Sequence, residues 1–310
     1  MVSVFLLTWS FKLVLVFIMK EALKELKNIE IQYSKSELLA LNNNDLFMHV
    51  YVELLKKTIS MLYLIIGDRY SDDVNGCPIK ISKEEAIIGG NITRLIKLNT
   101  SFLENVCSGK LEICYIISRC IAETAINIQY MLSEGEESVL RNYIKYSLKT
   151  EKELWNTIKE NIKDRGGEKK EIEKRMESSI LSSFDESDFK LDDINRSSKW
   201  KSIAKRAACV AGDMFYGVYY GISSHSIHGN WQDILLNNIE KEDDGFKLNL
   251  QWNTPKPQVL DIAISLNLKV VYDFIEKENV SEKKLFLEKT KLLMEHHDNL
   301  LFAHEKFIKV

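Results

Sequence analysis

The amino-acid sequence predicts an all-α protein, a multi-helix bundle with a small two-stranded β-ribbon insertion. Only three prolines and 13 glycines occur in 310 residues. This leaves room for long helices and argues against a β-sandwich or barrel, because those folds need frequent turn residues. Apolar residues return every three or four positions over most of the chain, and one segment alternates instead. We expect a single helical domain over residues 20–310.

Eight predicted helices follow from this periodicity. Ser82 and Glu85 form a capping box at the start of the second, and Gly166-Gly167 separates two charged helices. These two, within about 136–183, predict a charged hairpin with solvated faces, a candidate docking surface for a protein partner. In chain order, the predicted helices cover residues 36–68, 82–106, 110–132, 136–165, 168–180, 196–228, 258–278 and 281–309.

One segment has the period of a β-strand. Phe246, Leu248, Leu250 and Trp252 alternate with polar residues. We expect this strand to pair with residues 79–81, the other short stretch of strand character, and so to form the ribbon.

Residues 1–19 form an apolar run that Lys12 interrupts. Three interpretations stay open: a membrane anchor, a core helix, or an upstream extension of a protein whose natural start is Met19. A lysine in the middle of a spanning helix costs about 2.5–3.5 kcal/mol, which disfavours the anchor without removing it.

Charge and cysteine content restrict the partners. The net charge is −3, so any site for nucleic acid or acidic lipid must be local. The five cysteines include no CxxC pair, which fits thiols in a reducing compartment, and we expect a cytoplasmic protein. The last predicted helix carries His297 and His304 on a heptad seam, but no Glu-x-x-His motif occurs. The P-loop, dinucleotide and hydrolase-elbow motifs are also missing, so we expect no metal and no cofactor.

A polar ridge runs along the most apolar predicted helix, residues 110–132. Arg119, Glu123 and Asn127 lie within about 80° on the helical wheel, and most other positions are apolar. Either this ridge is where a buried helix touches water, or it is a buried Arg–Glu pair that presents a guanidinium to an anion, with the Asn127 amide beside it.

A second polar ridge lies toward the end of the predicted helix 196–228. Its members recur every four residues and so share one face, and Gly229 marks the helix end. Its histidine either caps that end or serves as a proton donor. The ridge and the turn after it contain, in order, Tyr220, Ser224, His228, Asn230 and Trp231.

The two spacings resemble domain-of-unknown-function family 5677, a group of bacterial helical proteins. They are Arg-x3-Glu-x3-Asn from Arg119 to Asn127 and Tyr-x3-Ser-x3-His-Gly from Tyr220 to Gly229. The resemblance covers about residues 40–270. It implies a helical bundle with both ridges at its centre, and no established reaction. Helical ribonucleases of bacterial defence and toxin systems carry their Arg and His on one helix, whereas here they lie on two.

Two hypotheses follow if the ridges pack together into one polar pocket. In the first, the protein is a metal-independent phosphodiesterase or ribonuclease of a bacterial defence or toxin system. A ribose 2′-hydroxyl attacks, His228 moves the proton and Arg119 stabilises the phosphorane of an RNA or other phosphate-bearing ligand. In the second, the protein is a non-catalytic interaction module whose polar cluster is structural. The catalytic candidates are Arg119, Glu123, Ser224 and His228, and the substrate-binding candidates are Asn127, Tyr220, Asn230 and Trp231.

Overall fold

A computed structural model describes residues 24–70, 79–194, 199–211 and 226–309. The described chain is helical apart from one antiparallel two-stranded ribbon, which confirms the predicted all-α class. The helices are α1 Lys35–Leu39, α2 Asn44–Tyr70, α3 Lys83–Cys107, α4 Leu111–Glu134, α5 Glu137–Asp164, α6 Glu171–Glu186, α7 Ile203–Ala211, α8 Trp231–Asn237, α9 Gln258–Lys277 and α10 Lys283–Ile308. The strands are β1 Ile239–Glu242 and β2 Gly245–Leu248.

Two compact units divide the described residues. The first is built from the chain up to Ser133 and from Ile203 onward, and the second is Glu134–Ser202. None of the described helices is both long and apolar enough to cross a membrane. Residues 1–19, with their three interpretations, lie outside the described residues.

Helix α9 is the centre of the first unit. It packs against α2 and α10, while α2 also packs against α3 and α10 contacts α1. Apolar residues lie on nearly every side of α9, and Leu260, Ile264, Val271 and Phe274 are fully buried. A helix that is apolar almost all round is stable only when other helices cover it on several faces, which fits its central place.

A buried amide pair joins three of these helices. The Nδ2 group of Asn99 on α3 donates to Oδ1 of Asn267 on α9 at 3.0 Å, and Asn267 returns the same bond at 2.9 Å. Asn267 Nδ2 also lies 3.3 Å from Thr58 Oγ1 on α2. All three residues are completely buried. Their mutual hydrogen bonds therefore replace those that water would make with the same groups in the unfolded chain.

The predicted heptad seam on α10 faces α9 and α2. His297 donates through Nε2 to Asp261 Oδ1 on α9 at 2.7 Å, and both residues are buried. His304 Nε2 lies 3.3 Å from Asn44 Oδ1, and its ring centroid is 4.6 Å from that of Phe47 on α2. The seam histidines therefore make helix-to-helix contacts. The described residues hold no group of three or more side chains suited to a metal ion.

The second unit contains the charged hairpin, which has a core of its own. Helices α5 and α6 pack together. The prediction of solvated faces describes only the outer sides of these helices, because the sides that face each other enclose apolar side chains. Charged pairs surround this core: Glu177 binds Lys159 at 2.6 Å and Lys169 at 2.8 Å. The buried apolar residues of this unit are Leu148, Ile158, Ile162, Ile180, Phe184, Phe189 and Ile194.

The ribbon exists, but its expected pairing with residues 79–81 is wrong. Strand β2 pairs with β1, with Ile239 opposite Leu248 and Glu242 opposite Gly245. The two residues between the strands form a tight turn, and joining neighbours in this way costs little chain entropy compared with closing a loop of more than 150 residues. The strand also ends at Leu248, earlier than the alternation indicates.

Helix boundaries differ from the predictions in three places. The predicted helix 168–180 runs instead from Glu171 to Glu186. The predicted helix 36–68 is interrupted between α1 and α2, where Asn43 Oδ1 accepts the Leu46 N–H at 2.9 Å and starts a new helix. Of the predicted helix 196–228, Ile203–Ala211 and residues 226–228 are helical, while 212–225 lie outside the described residues. The capping box of Ser82 and Glu85 is confirmed.

Replacing Asn267 with leucine should destabilise the protein by about 1–3 kcal/mol, because the Asn99 amide then stays buried without its partner. The double substitution Asn99→Leu with Asn267→Leu should recover part of this loss, because both polar groups are then gone. Chemical unfolding curves measure both effects. Asn105→Leu on α3, whose amide donates to the Ser101 carbonyl of the same helix, is the control. If the double variant loses as much free energy of unfolding as Asn99→Leu and Asn267→Leu lose together, the two amides do not stabilise the protein as a pair.

Acid should destabilise the fold below about pH 6.5. Burial lowers the pKa of His296, with Lys57 and His297 adding to the effect, and burial also lowers the pKa of His304. The unfolded chain takes up these protons near pH 6.5, so this contribution to stability is complete above that pH and is lost as the pH falls toward the lowered values.

His304→Phe should therefore make the Tm at pH 7.5 and the Tm at pH 5 differ by less than they do in the unaltered protein. His49→Phe, at an exposed position on α2, should leave the difference unchanged. Differential scanning calorimetry measures Tm at both pH values. If the difference in Tm between the two pH values shrinks equally in both variants, this explanation is wrong.

Candidate functional site

The first predicted ridge lies at the solvent edge of α4. Glu123 is exposed, and Arg119 and Asn127 are half-buried, whereas most of the remaining helix is enclosed. A buried Arg119–Glu123 pair is therefore wrong, because Glu123 faces water. The Asn127 Oδ1 atom is buried and accepts no hydrogen bond from the described residues. The ridge is the place where a largely buried helix meets solvent.

The second predicted ridge is described only at its end. Residues 226–228 are helical, Gly229 has a φ of 54° as expected for the residue after a helix, and His228 is exposed. Tyr220 and Ser224 lie outside the described residues. The meeting of the two ridges in one pocket therefore stays a prediction.

Asn230 and Trp231 start the short helix α8. The Asn230 Oδ1 atom accepts the Asp233 N–H at 3.1 Å, which caps the helix. Trp231 is 59% exposed and packs edge to face on Phe246 of β2, with ring centroids 5.7 Å apart. Both residues thus have structural contacts, and the exposed indole faces the ribbon.

The segment from His228 to Trp252 presents an apolar surface to solvent, which we call the hairpin surface. Leu248 is 73% exposed and Leu250 89% exposed. The three aromatic side chains in it are each more than half exposed and together offer about 300 Å², since an aromatic side chain has about 150–250 Å². The hairpin surface consists of Trp231, Leu235, Leu236, Phe246, Leu248, Leu250 and Trp252.

The pairing of the strands places two of these side chains, Phe246 and Leu248, on one face of the ribbon. Side chains that lie opposite each other in an antiparallel pair share a face, so Ile239 and Leu248 lie on one face with Phe246 and Lys241. The other face carries Glu240 opposite Lys247. The ribbon is therefore amphipathic, yet Phe246 and Leu248 on its apolar face are exposed by more than half.

A single residue, Asn253, ties the end of the hairpin segment to α4 and α8. Its carbonyl accepts the Leu111 N–H at 2.9 Å, and its own N–H donates to Glu112 Oε1 at 3.4 Å. Its side-chain Nδ2 donates to Asn237 Oδ1 at 3.0 Å. The first bond satisfies the Leu111 N–H, one of the backbone groups that a helix N-terminus leaves open. Together the three bonds hold the end of the hairpin segment against α4 and α8.

The charges around the hairpin surface are mainly acidic. The Glu240 carboxylate and the Lys247 ammonium lie 3.9 Å apart and compensate each other. The tip then carries three exposed carboxylates against the single Lys241. These carboxylates belong to Glu242, Asp243 and Asp244.

Sequence reasoning found the alternation in β2 but did not assign it a function. The signal for an exposed face was present, since Phe246, Leu248, Leu250 and Trp252 share one period, but alternation alone does not tell whether that face is covered. No sequence signal identifies Asn253, because its partners lie about 16 and 141 residues away in the chain.

Within the described residues, the fold and the hairpin surface define a helical protein with an amphipathic ribbon whose apolar face is largely exposed. The model of a family of unknown function (DUF5677) matches residues 85–246, just over half of the chain, and the protein belongs to this family. The matched region runs from α3 through the second unit to Phe246 in β2, so it includes both predicted ridges. The comparisons found no match among curated proteins and none among solved structures.

Proposed function

We propose that this protein is an interaction module that binds another protein through the hairpin surface. The observation that supports this is the exposure of seven large apolar side chains within 22 residues, from Trp231 to Trp252. The largest apolar patch on an ordinary monomer covers about 300–600 Å² and is often functional. Such patches mark binding sites, because leaving them in water costs free energy that a partner recovers.

The composition of the hairpin surface favours a protein over a nucleic acid. Tryptophan, phenylalanine and leucine are suited to a desolvated interface. Nucleic acid is disfavoured because the carboxylates of Glu242, Asp243 and Asp244 would repel phosphates, and Lys247 is already paired with Glu240. The well-anchored position that Asn253 provides reduces the ordering cost of binding.

Panning a library of displayed random peptides against the purified full chain tests the proposal. We expect enriched peptides that bind at least about tenfold more weakly to Leu248→Ser with Leu250→Ser, because two exposed leucines contribute more than about 1.4 kcal/mol when desolvated. Both side chains are largely exposed, so the variant should fold.

The matched control is Tyr63→Ser with Phe302→Ser, which removes two exposed apolar side chains elsewhere. Its affinity should equal that of the unaltered protein. Failure to enrich any peptide, or equal binding to both double variants, would refute the interaction module at this surface.

A second candidate function is metal-independent cleavage of RNA, an activity of the kind used in defence and toxin systems. The exposed imidazole of His228 supports it, because a ligand can reach this residue from solvent. The ribose 2′-hydroxyl attacks its own phosphate, the 5′-oxygen leaves, and a 2′,3′-cyclic phosphate remains. Arg119 would stabilise the charge that develops on the phosphorane.

If this second candidate is right, the purified chain cleaves a mixed RNA pool in the presence of EDTA. His228→Gln should reduce the rate by about 10²–10⁴, the usual contribution of a proton-transfer group, and His49→Gln should not change it. Gel electrophoresis with end-group analysis gives the rate and the product. RNA that stays intact for hours between pH 5 and pH 8 rules out this candidate.

A further inference from the structure

We infer that the occupant of the hairpin surface is an amphipathic helix that carries lysine or arginine beside its apolar face. This inference rests on the proposed interaction module and adds the chemistry of the partner. Two observations support it: the charge at the tip of the ribbon and the size of the uncovered face.

The charge at the tip selects a basic partner. With Glu240 paired to Lys247, the tip keeps the carboxylates of Glu242, Asp243 and Asp244 against one ammonium. Strand residues advance by about 3.3 Å, so Asp244 lies about 7 Å along the chain from Phe246. This is within the Debye length of about 8 Å at physiological salt, so a cation next to the partner's apolar contacts feels an attraction that salt screens only in part.

The architecture selects a helix. Protein folds cover the apolar face of a sheet with helices or with a second sheet. Helix α8 contacts β1 and places Trp231 against Phe246, but its seven residues span only about 10 Å. Leu248 and Leu250 remain 73% and 89% exposed despite this helix. A second helix beside α8 would enclose them.

Other occupants fit less well. A second copy of this chain would bring its own Glu242, Asp243 and Asp244 against the same three residues, and like charges in an interface weaken association. An anionic membrane would meet the same repulsion. These occupants give different results in the experiment below.

Two labelled 18-residue helical peptides, one of leucine and lysine and one of leucine and glutamate, test the inference against the purified full chain by fluorescence anisotropy. We expect the Leu/Lys peptide to bind at least tenfold more tightly than the Leu/Glu peptide at low salt. The preference should shrink as salt is raised, since screening weakens exposed charges. Leu248→Ser with Leu250→Ser should weaken Leu/Lys binding at least tenfold.

Removing the charges at the tip of the ribbon distinguishes the electrostatic contribution to peptide binding from the apolar contribution. The triple variant Glu242→Gln, Asp243→Asn, Asp244→Asn should bring the two peptides to within about threefold of each other. The control Glu25→Gln, Glu30→Gln, Glu288→Gln changes the net charge by the same amount at exposed positions outside the ribbon, and it should keep the preference.

The outcomes distinguish this inference from the proposed function. Equal binding of both peptides, lost in the leucine double variant, overturns the basic partner and leaves the interaction module standing. Binding of neither peptide, or Leu/Lys binding that ignores the leucine double variant, overturns the inference. Self-association in sedimentation that the leucine double variant abolishes identifies a second copy as the occupant and also overturns it, as does binding to anionic vesicles in place of the Leu/Lys peptide.

Discussion

The buried amide pair of Asn99 and Asn267 is the constraint that orders the first unit. An amide withdrawn from water without a partner costs about 1–3 kcal/mol, and these two amides satisfy each other only when α3 and α9 lie in one register. Thr58 extends the restriction to α2. Apolar contacts alone tolerate sliding of one helix along another, because they have no direction, whereas hydrogen bonds do not.

Helix α9 also makes polar contacts that align the other helices of the first unit. The helix that carries Asn267 also carries Asp261, which meets His297 on α10. Helix α10 in turn reaches α2 through His304 and Asn44. Polar groups thus occur in the interior at the places where one helix must be aligned with another, and apolar side chains supply most of the buried area between them.

The hairpin segment has the opposite character. In the interior, each of these polar side chains makes a hydrogen bond to another helix, while on the ribbon apolar side chains face water. Asn253 connects the two regions, because its bonds to Leu111 and Glu112 hold the ribbon beside α4. Holding an exposed apolar surface in a fixed position favours binding, because less conformational entropy is lost when a partner binds. The family match ends at Phe246 and so includes most of this segment.

The sequence by itself determined the all-α class, the family, the capping box at Ser82 and the seam on α10. These features depend on neighbours within about four residues, and periodicity and capping report such neighbours directly. The tertiary structure alone decided that β2 pairs with β1, that Glu123 faces water, and that Asn99 meets Asn267 across 168 positions. Contacts between distant residues depend on how whole helices pack, and covering or exposing a face depends on what lies against it. The spacing of residues within one helix or strand shows neither which distant residues meet nor which faces are covered.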